Sequence, residues 1–174
     1  MHRQLGMVDA QGHAATYTGK ACYDWAGGVT GPSFACQGNL LAGPAVVTNM
    51  AAAFQAATGS LADRLVAALL AGQAAGGDRR GQQSAALYIV KEKGGYGGWN
   101  DRYVDLRVDD HPHPIEELGR LLALYKLYFF KTEPGNLIPL EKGVTQEIQA
   151  ILRRTQDYAG EINGLYDEPT RQAL

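Results

Sequence analysis

The chain has 174 residues and a net charge of −2, and it is 45% hydrophobic and 20% charged. This length holds one domain, or one domain with a small appendage, and the composition is that of a globular protein that can bury a core. Charges of both signs are scattered along the chain, so no nucleic-acid partner is expected. No motif indicates a cofactor.

Three further features of the sequence limit the possible partners and location of the protein. No apolar run approaches the roughly 18 residues that a membrane helix needs, so no membrane partner is expected. The first residues lead directly into a strand pattern and lack the apolar core of a signal peptide, so a cytoplasmic location is expected. If an upstream segment exists, the expected location is extracytoplasmic instead. The two cysteines, Cys22 and Cys36, are too few for a disulfide scaffold and are predicted to be packed side chains.

The first predicted elements are strands. Residues 4–8 and 13–18 flank a short turn that contains a glycine, a pattern typical of a β-hairpin. A glycine-rich connection is predicted over residues 19–31, and residues 34–41 are predicted to form a third strand.

Two helices are predicted next. Apolar residues recur at helical spacing in two segments separated by Gly59. Ser60 is predicted to cap the second helix, with Asp63 as its acidic partner three residues on. The glycines at 76 and 77 are expected to follow the end of that helix.

The remaining elements of the body are two strands and a helix. Residues 84–90 are almost continuously apolar, which predicts a strand covered on both faces. A glycine-rich turn at 94–98 precedes residues 103–109, which alternate between apolar and charged side chains. Pro114 is predicted to begin a long helix.

This order of elements predicts an α+β fold of antiparallel sheets covered by helices, most simply a two-sheet sandwich. The body is predicted over residues 1–131, followed by a linker at 132–142 that contains two prolines. A helical tail is predicted over 143–174, with one helix at 145–155 and a second near Pro169. The tail is too short to bury a large core of its own.

Three strings of the body are distinctive: the first contains two glycines, the second combines glycine, aspartate and arginine, and the third combines aspartate and arginine. The first string is 36–43 (CQGNLLAG), the second is 76–87 (GGDRRGQQSAAL) and the third is 105–112 (DLRVDDHP). Over residues 1–131 the chain resembles an uncharacterised bacterial Ntn-hydrolase-like family, domain of unknown function 1028. The resemblance implies a four-layer αββα sandwich of antiparallel sheets and, in a complete chain, hydrolysis of a small amide or acyl substrate.

The tail resembles a peptidoglycan-binding module. The matching residues are Gln149, Leu152, Tyr158, Gly160, Ile162, Asn163, Gly164, Tyr166, Thr170, Arg171 and Ala173. This resemblance implies a peptidoglycan fragment as a partner. The alternative is a docking or dimerisation element, because a cytoplasmic protein does not meet intact peptidoglycan.

The N-terminus departs from the family pattern. Family chains begin upstream of the position that matches His2, so we expect the Ntn-like domain to be incomplete here, with an exposed sheet edge that favours homo-oligomers. Ntn hydrolases use an N-terminal Thr, Ser or Cys as the nucleophile. Met1 followed by His2 offers none of these, so no nucleophile is assigned.

The loop at 76–84 is the main candidate site for a small-molecule ligand. Its glycines allow close approach of a backbone, and arginine offers a planar fork for a carboxylate or carbonyl. The alternative is that the glycines end a helix and Asp78 pairs with an arginine. The candidate groups that would support catalysis are Asn39, Asp78, Arg80 and Ser84. The candidate ligand-binding residues are Gly77, Arg79, Gln82, Asp109, Asp110 and His111.

Other polar and aromatic residues each allow two interpretations. Asn39 either donates to an oxyanion or occupies a turn. In the third string no metal site is predicted, because prolines follow His111 and His113 and keep the backbone extended; a charge ladder along the strand is expected instead. The aromatic residues of the glycine-rich loops, Trp25 and the 96–99 segment, either stack on a sugar or peptide or bury their rings to fold the loops onto the body, and burial is expected.

Three functions remain open at this point. The first is an Ntn-type amide hydrolase. The second is a non-catalytic binding protein for a cell-wall fragment or a protein partner, and the third is an oligomeric structural module. A fold alone does not choose among them, because one fold hosts many functions.

Overall fold

The structure, a computed structural model, describes residues 1–130 and 137–174. The chain divides into two compact units, Met1–Phe130 and Lys131–Leu174, which we call the body and the tail. The predicted α+β class with antiparallel sheets is confirmed. Part of the predicted linker at 132–142 lies outside the described residues.

The described body contains six strands, which pair as three antiparallel hairpins, and three α-helices. The strands are β1 (Gln4–Val8), β2 (Ala14–Thr18), β3 (Gly27–Gly31), β4 (Phe34–Gly38), β5 (Ala85–Val90) and β6 (Arg102–Val108). The helices are α1 (Ala45–Ala56), α2 (Leu61–Ala74) and α3 (Pro114–Phe129).

Strand β3 corrects the predicted connection at 19–31. It pairs with β4 from Gly27 opposite Gly38 to Gly31 opposite Phe34. Its glycines concealed it in the sequence, because glycine is depleted in strands. Their absence of a side chain is needed here, since a Cβ on Gly28 would lie 2.6 Å from the hydroxyl of Thr16. The strand predicted over 34–41 is correspondingly shorter and ends at Gly38.

The first two hairpins stack on each other. Strand β1 packs on β4, and β2 packs on β3. The Gln4 side chain crosses between the layers, and its Nε2 lies 2.8 Å from the carbonyl oxygen of Gly38 and 3.3 Å from that of Gly27. Helix α1 packs on the second hairpin, so the local order is sheet, sheet and helix.

The third hairpin supports the larger apolar core. Val104 on β6 and Leu118 on α3 are completely buried at its centre. The other buried members come from α2, β5, β6 and α3, and they are Ala62, Val66, Leu87, Ile89, Val108 and Leu122. Only one face of β5 is covered within the described residues, because Tyr88 and Val90 are exposed. The predicted coverage of both faces is therefore wrong here.

A second buried cluster joins the second hairpin to the helices. Phe34 on β4 packs with Phe54 on α1 and with two alanines, and Leu65 on α2 contacts both this cluster and the larger core. The predicted cap of α2 is present. The Ser60 hydroxyl accepts from the Asp63 amide, and the Asp63 carboxylate accepts from the Ser60 amide at 2.9 Å.

The tail has a polar centre. It contains α4 (Lys142–Arg154) and α5 (Glu168–Gln172), close to the predicted helices. Gln149 is completely buried, and its Nε2 lies 2.9 Å from the Thr170 hydroxyl and 3.1 Å from the Asn163 side-chain oxygen. Its Oε1 accepts from the Gly164 amide at 2.9 Å.

Within the described parts of the chain, none of the helices combines the length and the hydropathy that crossing a bilayer requires.

Candidate functional site

Backbone pairing brings the first and second strings together. The Arg79 amide donates to the Leu40 carbonyl at 2.8 Å, and the Ala42 amide donates to the Gly77 carbonyl at 2.9 Å. Between these contacts, Leu41 and Asp78 form an isolated antiparallel bridge. The first string therefore runs alongside the start of the second.

The second and third strings are also paired. Strands β5 and β6 align Ala85 with Val108. Beyond the strands, the Gln83 carbonyl accepts from the His111 amide at 2.9 Å, and the Gln83 side chain donates to Asp110 at 3.2 Å. All three strings thus meet in one region, with the second string in the middle.

The two glycines that open the second string end helix α2. The Gly77 amide donates to the Gly72 carbonyl and the Gly76 amide donates to the Gln73 carbonyl, each at 3.0 Å. This pair of bonds is a Schellman motif. Both glycines have a positive φ, 110° at Gly76 and 53° at Gly77. Gly77 is buried, so its position is explained by the helix end and not by contact with a ligand.

Asp78 and Arg80 form a two-pronged ion pair. Arg80 Nε donates to Asp78 Oδ1 at 2.9 Å, and Arg80 Nη2 donates to Oδ2 at 2.6 Å. The Arg80 backbone amide adds a third bond to the same carboxylate at 2.8 Å. Hydrogen bonding from Arg80 lowers the pKa of Asp78 to about 2. Asp78 is therefore a carboxylate at neutral pH and does not exchange a proton there.

An open cleft of about 630 Å³ lies beside this ion pair. Its walls come from the end of α2, the second string, the third string and the start of α3. The lining residues are Gln73, Asp78, Arg80, Gly81, Gln82, Gln83, Ser84, Asp110, Pro114 and Ile115. We call it the polar cleft. Five of the ten predicted site residues line it, namely Asp78, Arg80, Gln82, Ser84 and Asp110.

Two lining side chains are free to serve a ligand. The Gln82 Oε1 is shielded from solvent and has no hydrogen-bond partner within the described residues. An unmet buried acceptor costs about 1–3 kcal/mol, so a ligand donor that reached this oxygen would be stabilised by it. Ser84 is exposed, and its hydroxyl is bonded to no base in the described residues. It is therefore not arranged as an activated nucleophile.

Asn39 lies outside the polar cleft. Its Nδ2 donates to Gln4 Oε1 at 3.1 Å, so its amide joins the contact between the stacked hairpins. Gln4 is the partner of Asn39 that the sequence alone did not single out. As the first residue of β1 it has no side-chain signature beyond an alternating strand pattern.

The third string is held by local charge pairs. Arg107 Nε lies 2.8 Å from Asp109, as a charge ladder predicts, whereas Asp105 pairs with Arg102 at 3.6 Å. His111 Nδ1 accepts from the His113 amide at 3.0 Å. Over residues 1–130 and 137–174, no group of three or more His, Cys, Asp or Glu side chains could hold a metal ion.

Comparison with known proteins identifies the family. The model described as "Family of unknown function (DUF1028)" matches residues 1–118, more than half of the chain. The chain belongs to this family. The chain is also similar to a DUF1028 protein from Silicibacter pomeroyi whose crystal structure has been solved. The two sequences are 31% identical, and the two structures superpose with a TM-score of 0.62. The match covers 74% of this chain and 57% of that one, so this chain spans little more than half of that relative's length. No curated protein matches the chain.

The DUF1028 match contains all three strings and ends within α3. Every wall of the polar cleft, up to Ile115, therefore lies inside the region that defines the family. The tail lies outside it.

Two aromatic side chains of the DUF1028 body are more exposed than predicted. Tyr96 and Trp99 are 81% and 87% exposed, so the expected burial of these two rings is wrong. They lie on a loop with one turn of 3₁₀ helix, Tyr96–Gly98, where glycines with positive φ turn the chain outward. Trp25 is half-buried, and its ring lies against Gly27.

Proposed function

We propose that this DUF1028 protein binds a small amide or acyl compound in the polar cleft, as the ligand-holding part of an Ntn-hydrolase-like protein. One observation carries the proposal. The second and third strings are far apart along the chain, and backbone pairing brings them to the walls of one cleft, with the first string paired behind Asp78. Loops held in this way by a rigid scaffold commonly carry binding residues.

The chemistry of the cleft favours a neutral amide over a strong anion. Arg80 is already paired with Asp78, so its charge is balanced, and Asp110 adds a further carboxylate. Gln82 and Ser84 supply both donors and acceptors. An amide group presents one of each, so it matches this set better than a phosphate does.

The layering of the body supports an Ntn-hydrolase-like arrangement. Hairpin β1–β2 stacks on hairpin β3–β4, and α1 packs on the far side of the latter. This order corresponds to three layers of an αββα sandwich. Within this proposal, amide hydrolysis belongs to the family's complete fold and needs a nucleophile from outside the polar cleft, because Ser84 has no base beside it.

A second candidate function is binding without catalysis. The closed Asp78–Arg80 pair favours it, since neither group is poised for proton transfer. A cell-wall fragment is a natural ligand for the tail under this proposal. The tail exposes the side chains of Leu165 and Tyr166, which can contact the apolar faces of such a fragment.

The test is an NMR titration of the whole chain with N-acetylalanine amide and, separately, with inorganic phosphate. We expect the amide to shift backbone signals at 78–84 and at Asp110. Gln82→Leu and Ser84→Ala should each weaken binding about 3- to 10-fold, the loss of one hydrogen bond. The matched control is Gln55→Leu on the exposed face of α1, which should bind as the wild type does. Shifts centred elsewhere, or phosphate bound more tightly than the amide, would overturn the proposal.

A further inference from the structure

A second pocket in the body is built from aromatic rings and glycines. It measures about 210 Å³, below the roughly 300 Å³ at which pockets for drug-sized ligands begin, so it suits a small group. Its walls come from the glycine-rich loop after β5, from β6 and from the end of α3. The lining residues are Gly94, Gly95, Tyr96, Gly97, Tyr103, Tyr125, Tyr128 and Phe129. We call it the aromatic pocket, and it shares no lining residue with the polar cleft.

Three of the lining rings are open to solvent. Tyr96, Tyr128 and Phe129 are each more than half exposed. The Phe129 ring centroid lies 6.1 Å from that of Tyr96, at right angles to it, and 4.7 Å from that of Tyr125. Exposed rings grouped around a concave surface are typical of a binding site. One small group in the aromatic pocket can therefore contact several rings at once.

The loop that supplies Tyr96 is held in place by its own hydrogen bonds. The Gly95 amide donates to the Asn100 carbonyl at 2.8 Å. The Lys93 amide donates to the Asp101 carboxylate at 2.9 Å. The Tyr96 ring is therefore carried by a backbone that is already ordered, and such preorganisation lowers the entropic cost of binding a ligand.

Most polar groups of the pocket wall are already in use. The amides of Gly94 and Gly95 each donate to a carbonyl of the same loop at 2.8 Å, and the Tyr125 hydroxyl donates to the Tyr103 carbonyl at 2.7 Å. None of the lining side chains is charged. An anion or a primary ammonium would lack a countercharge here, and a sugar would find few free partners for its hydroxyl groups.

Rings of this region already attract cations from the chain itself. Lys91 Nζ lies 5.2 Å from the Tyr103 ring centroid. Lys126 Nζ lies 5.9 Å from the centroid of Phe130, whose ring stacks on that of Tyr103. The negative face of an aromatic ring attracts a cation within about 6 Å. The segment 91–105 carries three basic and three acidic side chains, so its net charge does not oppose a further cation.

We propose that the aromatic pocket binds a quaternary ammonium group, such as the trimethylammonium end of choline. A quaternary ammonium has no N–H group, so it is stabilised by ring faces and does not need hydrogen-bond acceptors. The exposed rings of Tyr96, Tyr128 and Phe129 contact the cation, and the glycine backbone of the loop forms the remaining wall. This site is separate from the polar cleft and does not depend on the function proposed for it.

The test is a calorimetric titration of the whole chain with choline, with the neutral isostere in which a tert-butyl group replaces the trimethylammonium group, and with N-acetylglucosamine. We expect choline to bind at least about 10-fold more tightly than its isostere, because only the cation interacts with the ring quadrupoles. Phosphatidylcholine vesicles distinguish the source of the group. Co-sedimentation that free choline abolishes assigns it to a lipid headgroup, whereas choline binding without co-sedimentation assigns it to a free solute.

Three variants of neighbouring positions on α3 sharpen the test. Tyr128→Leu removes one exposed ring and should weaken choline binding about 3- to 10-fold, whereas Tyr128→Phe keeps the ring and should bind as the wild type does. Leu127→Ala alters an exposed side chain that does not line the pocket and should also leave binding unchanged. Circular dichroism checks that each variant is folded.

Three results would overturn the proposal. The first is the absence of saturable choline binding. The second is equal binding of choline and its neutral isostere, or tighter binding of N-acetylglucosamine. The third is an equal loss of choline affinity in folded Tyr128→Leu and Leu127→Ala, which would place the cation away from the exposed rings.

Discussion

The body and the tail are stabilised by opposite kinds of buried residue. In the body the completely buried positions are apolar, with Val104 and Leu118 at the centre. In the tail they are polar, namely Thr145, Gln149 and Thr170. Gln149 alone contacts the side chains or backbone of several neighbours across the tail.

This contrast follows from size. A unit of about 130 residues buries enough apolar surface to hold its helices on its sheets, whereas a unit of about 40 residues does not. In the tail, hydrogen bonds of the buried Gln149 side-chain amide hold the loops against α4. The polar contacts of the body, in contrast, lie at helix ends, in loops and, at Gln4, between the stacked hairpins, and none of these side chains is completely buried. Substitutions should therefore differ sharply in effect between the two units.

The largest effect is expected from Leu118→Ala in the body. It removes a completely buried side chain from the main core, which costs about 2–5 kcal/mol in free energy of unfolding. Urea denaturation followed by tryptophan fluorescence is suitable, because Trp25 and Trp99 both lie in the body. Leu127→Ala on the same helix, where the side chain is 74% exposed, is the control and should change stability by less than about 0.5 kcal/mol. Equal losses in the two variants would contradict an apolar core centred on Leu118.

The next effect is expected from Gln149→Leu in the tail. Leucine fills a similar volume but leaves the buried Gly164 amide without its acceptor and removes the amide that donates to Thr170, Asn163 and the Leu165 carbonyl. Each unsatisfied buried group costs about 1–3 kcal/mol, so amide exchange in α4 should accelerate strongly. Gln172→Leu, at an exposed position of α5, is the matched control. If leucine at 149 left exchange unchanged or slower, the tail would be held by apolar burial after all.

A smaller effect is expected from Ser60→Ala at the start of α2. It removes the hydroxyl that accepts from the Asp63 amide, and losses of this kind cost about 1 kcal/mol. Ser60→Thr keeps an acceptor and should restore most of the stability. The measurement is again urea denaturation followed by tryptophan fluorescence. A loss as large as that of Leu118→Ala would show that polar contacts matter in the body as much as apolar ones.

The smallest effect is expected from Asp78→Asn, and it should depend on pH. The pKa of Asp78 is lowered from 3.8 to about 2 by Arg80, so the carboxylate stabilises the folded state above pH 4. That contribution should be lost as the pH falls from about 4 to about 2. Because Arg80 is largely exposed, we expect about 1 kcal/mol or less at neutral pH. A stability difference between wild type and Asp78→Asn that persists at pH 2 would rule out this ion pair as its source.

Local signals in the sequence predicted much of the fold. The hairpin at 4–18, the Ser60 cap and the helix that begins at Pro114 each depend on neighbouring residues, and each is present. Strand β3 could not be predicted, because its glycines serve contacts with Thr16 and other residues that are close only in the folded chain. Burial of Gln149 depends in the same way on partners 14 to 21 positions away.

The site was predicted in part for the same reason. The second string drew attention through its own composition, and four of its candidate residues, Asp78, Arg80, Gln82 and Ser84, line the polar cleft. Its meeting with the other two strings rests on backbone bonds such as that from Arg79 to Leu40, which leave no trace in side-chain identity. Asn39 was placed in the site by residue type, whereas its contact with Gln4 assigns it to the stacked hairpins.

The most direct test of the central claim is a crystallographic fragment soak of the whole chain with N-acetylalanine amide. We expect density for the amide in the polar cleft, within hydrogen-bond distance of Gln82 and Ser84, with the Asp78–Arg80 pair intact. An empty polar cleft at saturating amide, with density elsewhere or nowhere, would contradict the claim that the second and third strings converge to build a ligand site.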